Sequence, residues 1–401
     1  MLFRSWKADR QASLIAELTG VLHEYGVVAA HNASVPLTPE LIGFGEGWLP
    51  HLDVFLSEAF EAFYSPCCDL NTSSLTVKLH HALGMPSWML RTSHSAHYGH
   101  WPISKTQWEL SASAVKANNG GAFGPCGIGA YPDTTTAKRL YENVRHGFDF
   151  YMADDDLAEG AVSQAKVALL FSWATRKYSG ARGDYYWLEE LTGWSRLLTE
   201  EHYPFDAVIA ERLTSPADLA QYSLVILPEP TNLSTACCEV LRQWVKAGGT
   251  LIATGETSLE DEKGFWREDF GLAEVLGITW EGAVEGPFAL ERPIEPTPYK
   301  GAFQFVETTG QVLARRIETD PAGSVGGVED PLPAGPAKWP AITVSDFGRG
   351  KAYYVAFGLG RYFEQHGEEH TGELMAELVE DAFPTRQIEI EAPKTVEVTL
   401  F

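Results

Sequence analysis

The sequence predicts an α/β fold: the C-terminal half of a (β/α)8 barrel, then a flavodoxin-like doubly wound domain, then the start of a β-sandwich. Residues 1–160 alternate short apolar runs with helical periodicity, and residues 161–385 repeat this alternation with longer buried runs. Residues 386–401 change to a strand-like alternation. Strands that alternate with helices form parallel sheets. Because a barrel needs eight such units and four are visible here, we expect a piece of a longer protein, cut within a domain at both ends.

The barrel part is predicted from four apolar runs that each end in polar residues. A helix over residues 6–25 comes first, because Leu14, Leu18 and Val21 recur at helical spacing. Ser104 is a suitable N-cap for a later helix. The predicted strands are GVVAAH, LDVFLSE, PSWMLRTSH and GGAFGPCG, and the other predicted helices span residues 74–83, 104–118 and 134–152. We interpret these strands as strands five to eight of the barrel.

The second domain is predicted from four buried strands separated by helices, as in an open doubly wound sheet. Its strands are KVALLFS, FDAVIA, SLVILP and TLIAT, and its helices span residues 184–200, 234–247 and 368–383. The segment near residues 280–340 is rich in Pro and Gly, which indicates an insertion. A hairpin that turns at residues 348–350 follows it.

The composition excludes several classes of partner. A formal net charge of −24 opposes binding to nucleic acid or to an anionic lipid surface. No apolar run approaches the roughly 20 residues that a membrane helix needs. The five cysteines fit no zinc spacing, and their odd number makes a poor disulfide framework. We therefore expect reduced thiols in a cytoplasmic protein.

One carboxylate stands directly at the end of a predicted barrel strand. Active sites of such barrels lie at the carboxyl ends of their strands, and the run LDVFLSE ends on Glu58. The sequence therefore marks Glu58 as the candidate catalytic residue, whereas Asp53 at the opposite end of the strand is expected to be structural. Two alternatives stay open for Glu58: it caps the next helix, or it pairs with Arg91.

Other strand-end residues are candidates for binding substrate. They are His31, Asn32, Arg91, His94 and Trp101. His31 and Asn32 can bind sugar hydroxyls or simply satisfy each other in a loop, and Arg91 can bind substrate or neutralise Glu58. Trp101 is suited to stacking, because an aromatic face fits the apolar side of a pyranose. Trp88 and Trp108 are expected in the core.

The histidines after the third strand do not indicate a metal site. His94, His97 and His100 are three residues apart, but no carboxylate or Cys completes a ligand set. Gly99 and its polar neighbours favour a loop over a helix. We expect neither a metal nor a cofactor.

The second domain has the architecture of class I glutamine amidotransferases, in which a nucleophilic Cys stands on a tight elbow. The corresponding turns here, ILPEPTN and IATGETS, contain no Cys, and Cys237 and Cys238 fall inside a predicted helix. Neither a GxGxxG motif nor a GxxxxGK[ST] loop follows the first strand. We therefore expect a non-catalytic domain; an amidotransferase-like activity would require a reactive thiolate at Cys237 or Cys238.

Longer runs carry a resemblance to known families. The run from KVALLFSW through DYYWLEELTGWSRLLTEEHYPFDAVIAE to AGGTLIATGET resembles the trimerisation domain of family-42 β-galactosidases, an amidotransferase-like fold without the nucleophile. The stretches LDVFLSEAF, LTVKLHHALGMPSWMLRTS and WELSASAVKANNGGAFGPCG resemble the end of hypothetical glycosyl hydrolase barrels, including a group of α-L-fucosidases. IEIEAPKTVEVTLF resembles the opening of the β-sandwich that follows in such enzymes.

The resemblance implies a retaining glycoside hydrolase that acts on α-L-fucosides or β-galactosides and assembles as a homo-oligomer, a trimer in the family. It implies that Glu58 is the acid/base, since the similar fucosidases place their nucleophile earlier in the barrel. On the family-42 plan a late strand would carry the nucleophile, and RTSH at the third strand offers none. The alternative is a catalytically dead carbohydrate-binding or oligomerisation scaffold. With half a barrel, we expect this chain alone to be inactive and prone to aggregate.

Overall fold

The chain divides into two units, unit 1 with a parallel sheet and unit 2 with a mixed sheet. In the computed structural model, Met1–Gln164 and Glu397–Phe401 form unit 1, and Ala165–Val396 form unit 2. The structure describes residues 2–32, 46–59, 71–92, 94–95, 98–126, 135, 138–153, 160–178, 186–291, 297–320, 332–333 and 338–401. Among the helices in these ranges, none combines the length and apolar character that crossing a bilayer requires.

Unit 1 has the strand–helix alternation that the apolar runs predict. Its helices are α1 (Leu2–Glu24), α2 (Asn71–Ala82), α3 (Lys105–Ala117) and α4 (Lys138–Met152). Its strands are β1 (Ala30–Asn32), β2 (Val54–Ala59), β3 (Ser87–Thr92), β4 (His94–Ser95), β5 (Tyr98–Pro102) and β6 (Ala122–Cys126). Four of them form a parallel sheet in the order β1-β2-β3-β6, as consecutive barrel units do.

The helices cover one face of this sheet with apolar side chains. Met89 packs in a buried cluster with Val77, Trp108 and Phe123. Ser104 caps α3 as predicted, because its Oγ accepts from the Gln107 N–H while Gln107 Oε1 accepts from the Ser104 N–H. The prediction that Trp88 belongs to the core is wrong: it is 39% exposed. Trp88 lies on the other face of β3 because successive strand residues alternate.

A short antiparallel hairpin replaces the loop predicted after β3. Its strands β4 and β5 place His94 opposite Pro102 and Ser95 opposite Tyr98, with an irregular register between the two pairs. The loop prediction gave weight to Gly99, but a glycine inside a strand also marks an irregular pairing of this kind.

Unit 2 contains a nine-stranded sheet. The strands of this unit are β7 (Val167–Phe171), β8 (Phe205–Ile209), β9 (Leu224–Leu227), β10 (Thr250–Thr254), β11 (Ile278–Leu290), β12 (Thr297–Thr308), β13 (Gln311–Ile317), β14 (Thr319–Asp320), β15 (Leu332–Pro333), β16 (Trp339–Phe347) and β17 (Gly350–Val355). Its helices are α5 (Trp173–Tyr178), α6 (Tyr186–Glu200), α7 (Thr235–Lys246), α8 (Ala273–Leu276), α9 (Leu359–His366) and α10 (Glu369–Ala382).

Five parallel strands of this sheet have the flavodoxin order that the sequence predicts. They are arranged β8-β7-β9-β10-β17, which is the order 2-1-3-4-5 of that fold. Four antiparallel strands, β16, β13, β11 and β12, extend the sheet on one side. These nine strands form one continuous sheet, and β14 pairs separately with β15.

The stretch near residues 280–340, predicted as an insertion, lies between β10 and β17, the fourth and fifth strands of the flavodoxin order, and the insertion stays a prediction. β11 and β12 are the longest strands of the chain's described part and belong to the main sheet. The sequence did not predict β11 because Gly282, Gly286 and Pro287 interrupt its apolar alternation. Both glycines have positive φ, +137° and +149°, a conformation that favours glycine.

The last segment does not form the strand that its alternation predicts. Residues 385–401 contain neither strand nor helix. They pair with no strand of the described chain. Instead, Glu397–Phe401 belong to unit 1. The Glu397 carboxylate accepts from Ser74 Oγ at 2.5 Å and lies 3.4 Å from Lys78 Nζ. The expected start of a β-sandwich is therefore not seen in this segment.

Candidate functional site

The carboxyl ends of β1, β2 and β3 lie along one edge of the unit 1 sheet. In the parallel register Asn32 is opposite Leu56, and Glu58 is opposite Leu90. Glu58 is the penultimate residue of β2. The backbone thus places Glu58 at the sheet edge where barrel enzymes have their active sites.

The two faces of β2 have different surroundings. Phe55 and Ser57 are buried on the side that packs against α2. Because strand positions alternate, positions 56 and 58 belong to the opposite face, which would line the interior of a barrel. Trp88 shares that face, since its register partner is Leu56. The Trp88 indole, 39% exposed, therefore lies on β3 two residues before Leu90, the register partner of Glu58. Trp88 is a candidate for stacking on a sugar, although the sequence predicted it in the core.

A buried polar chain lies behind position 58. His80 of α2 is fully buried; its Nε2 lies 2.8 Å from Ser57 Oγ and its Nδ1 lies 2.6 Å from Ser87 Oγ. Burial lowers the pKa of His80 to about 3, and the neighbouring charge of His81 acts in the same direction. The ring is therefore neutral at pH 7, and it donates from one nitrogen and accepts at the other. This bridge fixes the spacing of β2 and β3 beside Glu58.

Arg91 is buried, with 3% of its surface exposed. It follows Ser87 and Met89 at strand period and so belongs to the helix-facing side of β3. Position 58 is on the other side, so the register disfavours the alternative in which these two residues pair directly. A role for Arg91 in substrate binding stays a prediction.

Asp53 lies at the amino end of the sheet. Its Oδ2 accepts from the Ala29 N–H at 2.7 Å and lies 2.8 Å from His23 Nε2. These hydrogen bonds, led by that of Ala29, lower the pKa of Asp53. The carboxylate therefore links α1, β1 and β2, which agrees with the structural role expected of it.

The other candidate residues are distributed over three strands. His31 and Asn32 are the last residues of β1, His94 begins β4, and Trp101 lies in β5. Their substrate-binding roles, like the catalytic role of Glu58, stay predictions. His97 lies outside the described residues, and the described residues contain no group of three or more His, Cys, Asp or Glu that could hold a metal ion.

The sequence did not predict the partners that position the site, Ser57, His80 and Ser87. The available signal was a serine inside the apolar run VFLSE, because a buried hydroxyl needs a hydrogen-bonding partner. The sequence did not identify that partner, since His80 lies 23 residues farther along the chain.

Unit 2 carries a buried charged network at the carboxyl ends of β9 and β10. Arg361 Nη1 donates to Glu229 Oε2 at 2.9 Å, and the Arg361 N–H donates to Glu190 Oε2 at 2.7 Å. Glu190 Oε1 accepts from Thr254 Oγ1 at 2.7 Å and from Trp194 Nε1 at 3.0 Å. Burial raises the pKa of Glu190, the charge of Glu229 raises it further, and Arg361 opposes both. The network joins α6 and α9 to the sheet.

Glu229 lies in a strained turn after β9, within ILPEPTN, which is one of the two turns that could carry a nucleophile in an amidotransferase-like fold. Its φ is +48°, a conformation that non-glycine residues adopt rarely and mostly at special sites. Its side chain lies over Gly255, where an added Cβ would come within 2.2 Å of Glu229 Oε1. The turn therefore holds a buried carboxylate and contains no thiol.

Neither Cys237 nor Cys238 is activated. Cys237 and Cys238 are buried in α7, as predicted. Burial raises the pKa of Cys237 well above its ordinary value and that of Cys238 to about 11. Since the thiolate is the reactive form, this geometry opposes an amidotransferase-like reaction at either residue.

Comparison with protein families decides the assignment of unit 2. The family model described as the β-galactosidase trimerisation domain matches residues 165–383, more than half of the chain. The chain belongs to the β-galactosidase trimerisation domain family. The match agrees with the resemblance drawn from the sequence and covers the strands β7 to β17.

Curated relatives are β-galactosidases of greater length. β-Galactosidase BgaP of Planococcus sp. (strain L4) is 24% identical over 382 residues, which cover 83% of this chain and 52% of the relative. β-Galactosidase Pbg of Clostridium perfringens is 21% identical over 322 residues, which cover 75% of this chain and 41% of the relative. The chain thus spans about half the length of these relatives.

Solved structures show the same fold. The cold-adapted β-galactosidase of Rahnella sp. R3 has a TM-score of 0.71 at 19% identity, covering 96% of this chain and 59% of the other. The α-L-fucosidase isoenzyme 2 of Paenibacillus thiaminolyticus has a TM-score of 0.62 at 18% identity, covering 84% and 50%. At these identities the similarity shows the α/β fold alone.

Proposed function

We propose that the chain is part of a retaining glycoside hydrolase that cleaves β-galactosides or α-L-fucosides, with Glu58 as its acid/base. The observation that carries the proposal is the position of Glu58 at the carboxyl end of β2, on the face opposite the helix-packed Ser57. In a barrel enzyme, that face and that end of a strand contribute to the active site.

Retaining glycosidases need a second carboxylate about 5–5.5 Å from the first. Neither β3 nor β6 ends on one: their last residues are Thr92 and Cys126. The nucleophile would then come from an earlier barrel strand, outside this chain. We therefore expect the chain alone to hydrolyse no nitrophenyl glycoside.

Sugar binding would use the residues around the same sheet edge. His31, Asn32 and His94 would contribute hydrogen bonds to hydroxyl groups, and Trp101 would stack on the ring. Trp88 adds a second aromatic candidate, because it is 39% exposed and shares the strand face of position 58.

Residues 165–383 would hold copies of the protein together without catalysing a reaction. The family match supports this role, and so does the burial that raises the pKa of the Cys237 and Cys238 thiols. A trimer is the assembly that we propose.

The test is an assay of nitrophenyl β-galactoside and α-L-fucoside hydrolysis by the chain and by the longer protein recovered from the same DNA. We expect the longer protein to hydrolyse one of these glycosides. Glu58→Gln should lower its rate of hydrolysis by several orders of magnitude. Glu142→Gln on α4, where the carboxylate is exposed, should retain the original rate. Turnover that survives Glu58→Gln would contradict the assignment.

A second candidate is a carbohydrate-binding or oligomerisation scaffold without catalysis. The observation in its favour is the absence of a carboxylate at the end of β3, where the sequence has Arg91 and Thr92. A longer protein that binds a glycoside but cleaves none in the panel would support it.

A further inference from the structure

Unit 2 presents a cluster of aromatic side chains outside the site described above. Phe265 and Trp266 are 63% and 51% exposed. The Trp266 ring stacks on that of Trp280, with centroids 5.9 Å apart and planes 27° from parallel. One face of the Trp266 indole is thus covered by Trp280. We call Phe265, Trp266 and Trp280 the aromatic tip.

The turn that carries the aromatic tip is held by its own hydrogen bonds. Asp261 Oδ1 accepts from the N–H groups of Lys263 and Phe265, both at 2.9 Å, and the Asp261 N–H donates to the Phe265 carbonyl. Arg267 Nη2 donates to the Leu233 carbonyl at 2.8 Å. The turn is therefore ordered before any ligand arrives, which reduces the entropy lost on binding.

Two hydrogen bonds fix the position of Trp280. Its N–H donates to Asp269 Oδ1 at 3.0 Å, and its Nε1 donates to the fully buried Gln304 at 3.1 Å. The stacked pair is consequently a rigid surface with Trp266 outermost. An exposed, rigid indole face is the usual apolar platform for a flat ligand.

The exposed area is small for a protein interface. Aromatic side chains contribute about 150–250 Å² each, so two that are roughly half exposed offer on the order of 200–250 Å². A stable protein interface buries about 800 Å² on each partner. The patch instead matches the face of one or two sugar rings.

The charge around the aromatic tip selects among small ligands. Glu260, Glu262, Glu268 and Glu281 flank it in the sequence, together with the cations Lys263 and Arg267, so the flanking charge is net negative. Glu262, Glu268, Glu281 and Lys263 are exposed. Carboxylates repel phosphate or sulfate groups and accept hydrogen bonds from hydroxyl groups. A neutral ligand with one apolar face and donating hydroxyls fits both features.

We propose that the aromatic tip is a binding site for neutral pyranosides, with galactosides as the class that offers the broadest apolar ring face. The sugar ring stacks on Trp266 beside Phe265, and its hydroxyls donate to the neighbouring carboxylates. The site lies within unit 2 and does not depend on the glycosidase proposal.

The test is titration of the full 401-residue chain with methyl β-galactoside and with lactose, followed by tryptophan fluorescence and by saturation-transfer NMR. We expect saturable binding in the millimolar range that Trp266→Ala weakens at least tenfold and Phe265→Ala weakens less. The matched control is Trp6→Ala on α1, where the indole is 54% exposed, and it should leave binding unchanged. Far-UV circular dichroism confirms that each variant is folded, and Trp266→Tyr, which keeps a ring, should retain partial binding.

Light scattering of the same variants gives a second result. An unchanged molar mass in Trp266→Ala, together with lost sugar binding, supports the proposal. Absence of saturable binding in the original chain overturns it. A reduced mass in Trp266→Ala assigns the tip to a contact with a second copy and also overturns it.

Discussion

His80 Nε2 lies 2.8 Å from Ser57 Oγ, one residue before Glu58, and His80 Nδ1 lies 2.6 Å from Ser87 Oγ. One neutral imidazole on α2 therefore joins β2 to β3 beside the candidate catalytic position. Protonation of the ring would place an uncompensated charge in a fully buried site.

We expect the free energy of unfolding to fall as the pH decreases from about 6.5 towards 3. The unfolded chain protonates His80 near its ordinary pKa, whereas the folded chain resists protonation until about 3. The unfolded state thus binds more protons within this window. Each pH unit inside it removes about 1.4 kcal/mol, which urea unfolding at several pH values will measure.

The control for this prediction is a second histidine of unit 1. His80→Asn should remove this part of the pH dependence, while His146→Asn on α4, whose side chain is 37% exposed, should keep the original slope. Equal slopes in both variants would show that His80 is not the group responsible.

Two helical glycines should respond oppositely to alanine. An added Cβ at Gly193 in α6 would meet the Gly360 carbonyl oxygen at 1.9 Å, while one at Gly20 in α1 meets nothing within 4 Å. Gly193→Ala should cost about 1–3 kcal/mol or more, as overpacking does. Gly20→Ala should stabilise its helix by about 1 kcal/mol. Thermal unfolding of both variants checks the pair, and a neutral Gly193→Ala would refute the close packing of α6 and α9.

Arg361→Met should destabilise unit 2 strongly. The substitution removes the guanidinium that pairs with the buried Glu229 carboxylate and whose charge lowers the pKa of the neighbouring Glu190. Breaking a buried pair costs about 3–5 kcal/mol. Arg242→Met removes a solvent-exposed pair with Glu239 and should cost under about 1 kcal/mol. Chemical denaturation compares them; similar losses would mean that the network contributes no more than a surface ion pair.

Glu397→Gln should loosen the end of the chain from unit 1. Its carboxylate accepts from Ser74 and Asn118 and lies 3.4 Å from the buried Lys78 ammonium. Neutralising it removes the charged partner of that ammonium, so hydrogen exchange in Glu397–Phe401 should accelerate several-fold. Glu391→Gln in the exposed part of the tail should change nothing, and unchanged exchange in Glu397→Gln would contradict the docking.

The sequence predicted the elements whose signals are local. Ser104 caps α3 as expected, because capping needs residues within one turn. The apolar runs of β7, β9 and β10 are buried along their length or nearly so, and such runs indicate central parallel strands. Their order in the sheet followed from the same pattern.

The features that the sequence did not predict depend on partners distant in the chain. β11 contains Gly282, Gly286 and Pro287 and becomes a strand through its pairing with β12. The tail around Val396 has strand alternation but no ladder. The bond from Ser57 to His80 spans 23 residues, and that from Arg361 to Glu229 spans 132. Strand-end position pointed to Glu58, whose role stays a prediction, but not to Ser57, His80 and Ser87, which join β2 to β3 beside it.

The turn at Glu229 limits the chemistry that unit 2 can acquire there. Its backbone has a positive φ, and its side chain is the counter-ion of Arg361. A change of Glu229 to cysteine alone would leave the buried guanidinium without its paired carboxylate. A thiol-dependent site at this turn would therefore require a compensating change at Arg361 as well.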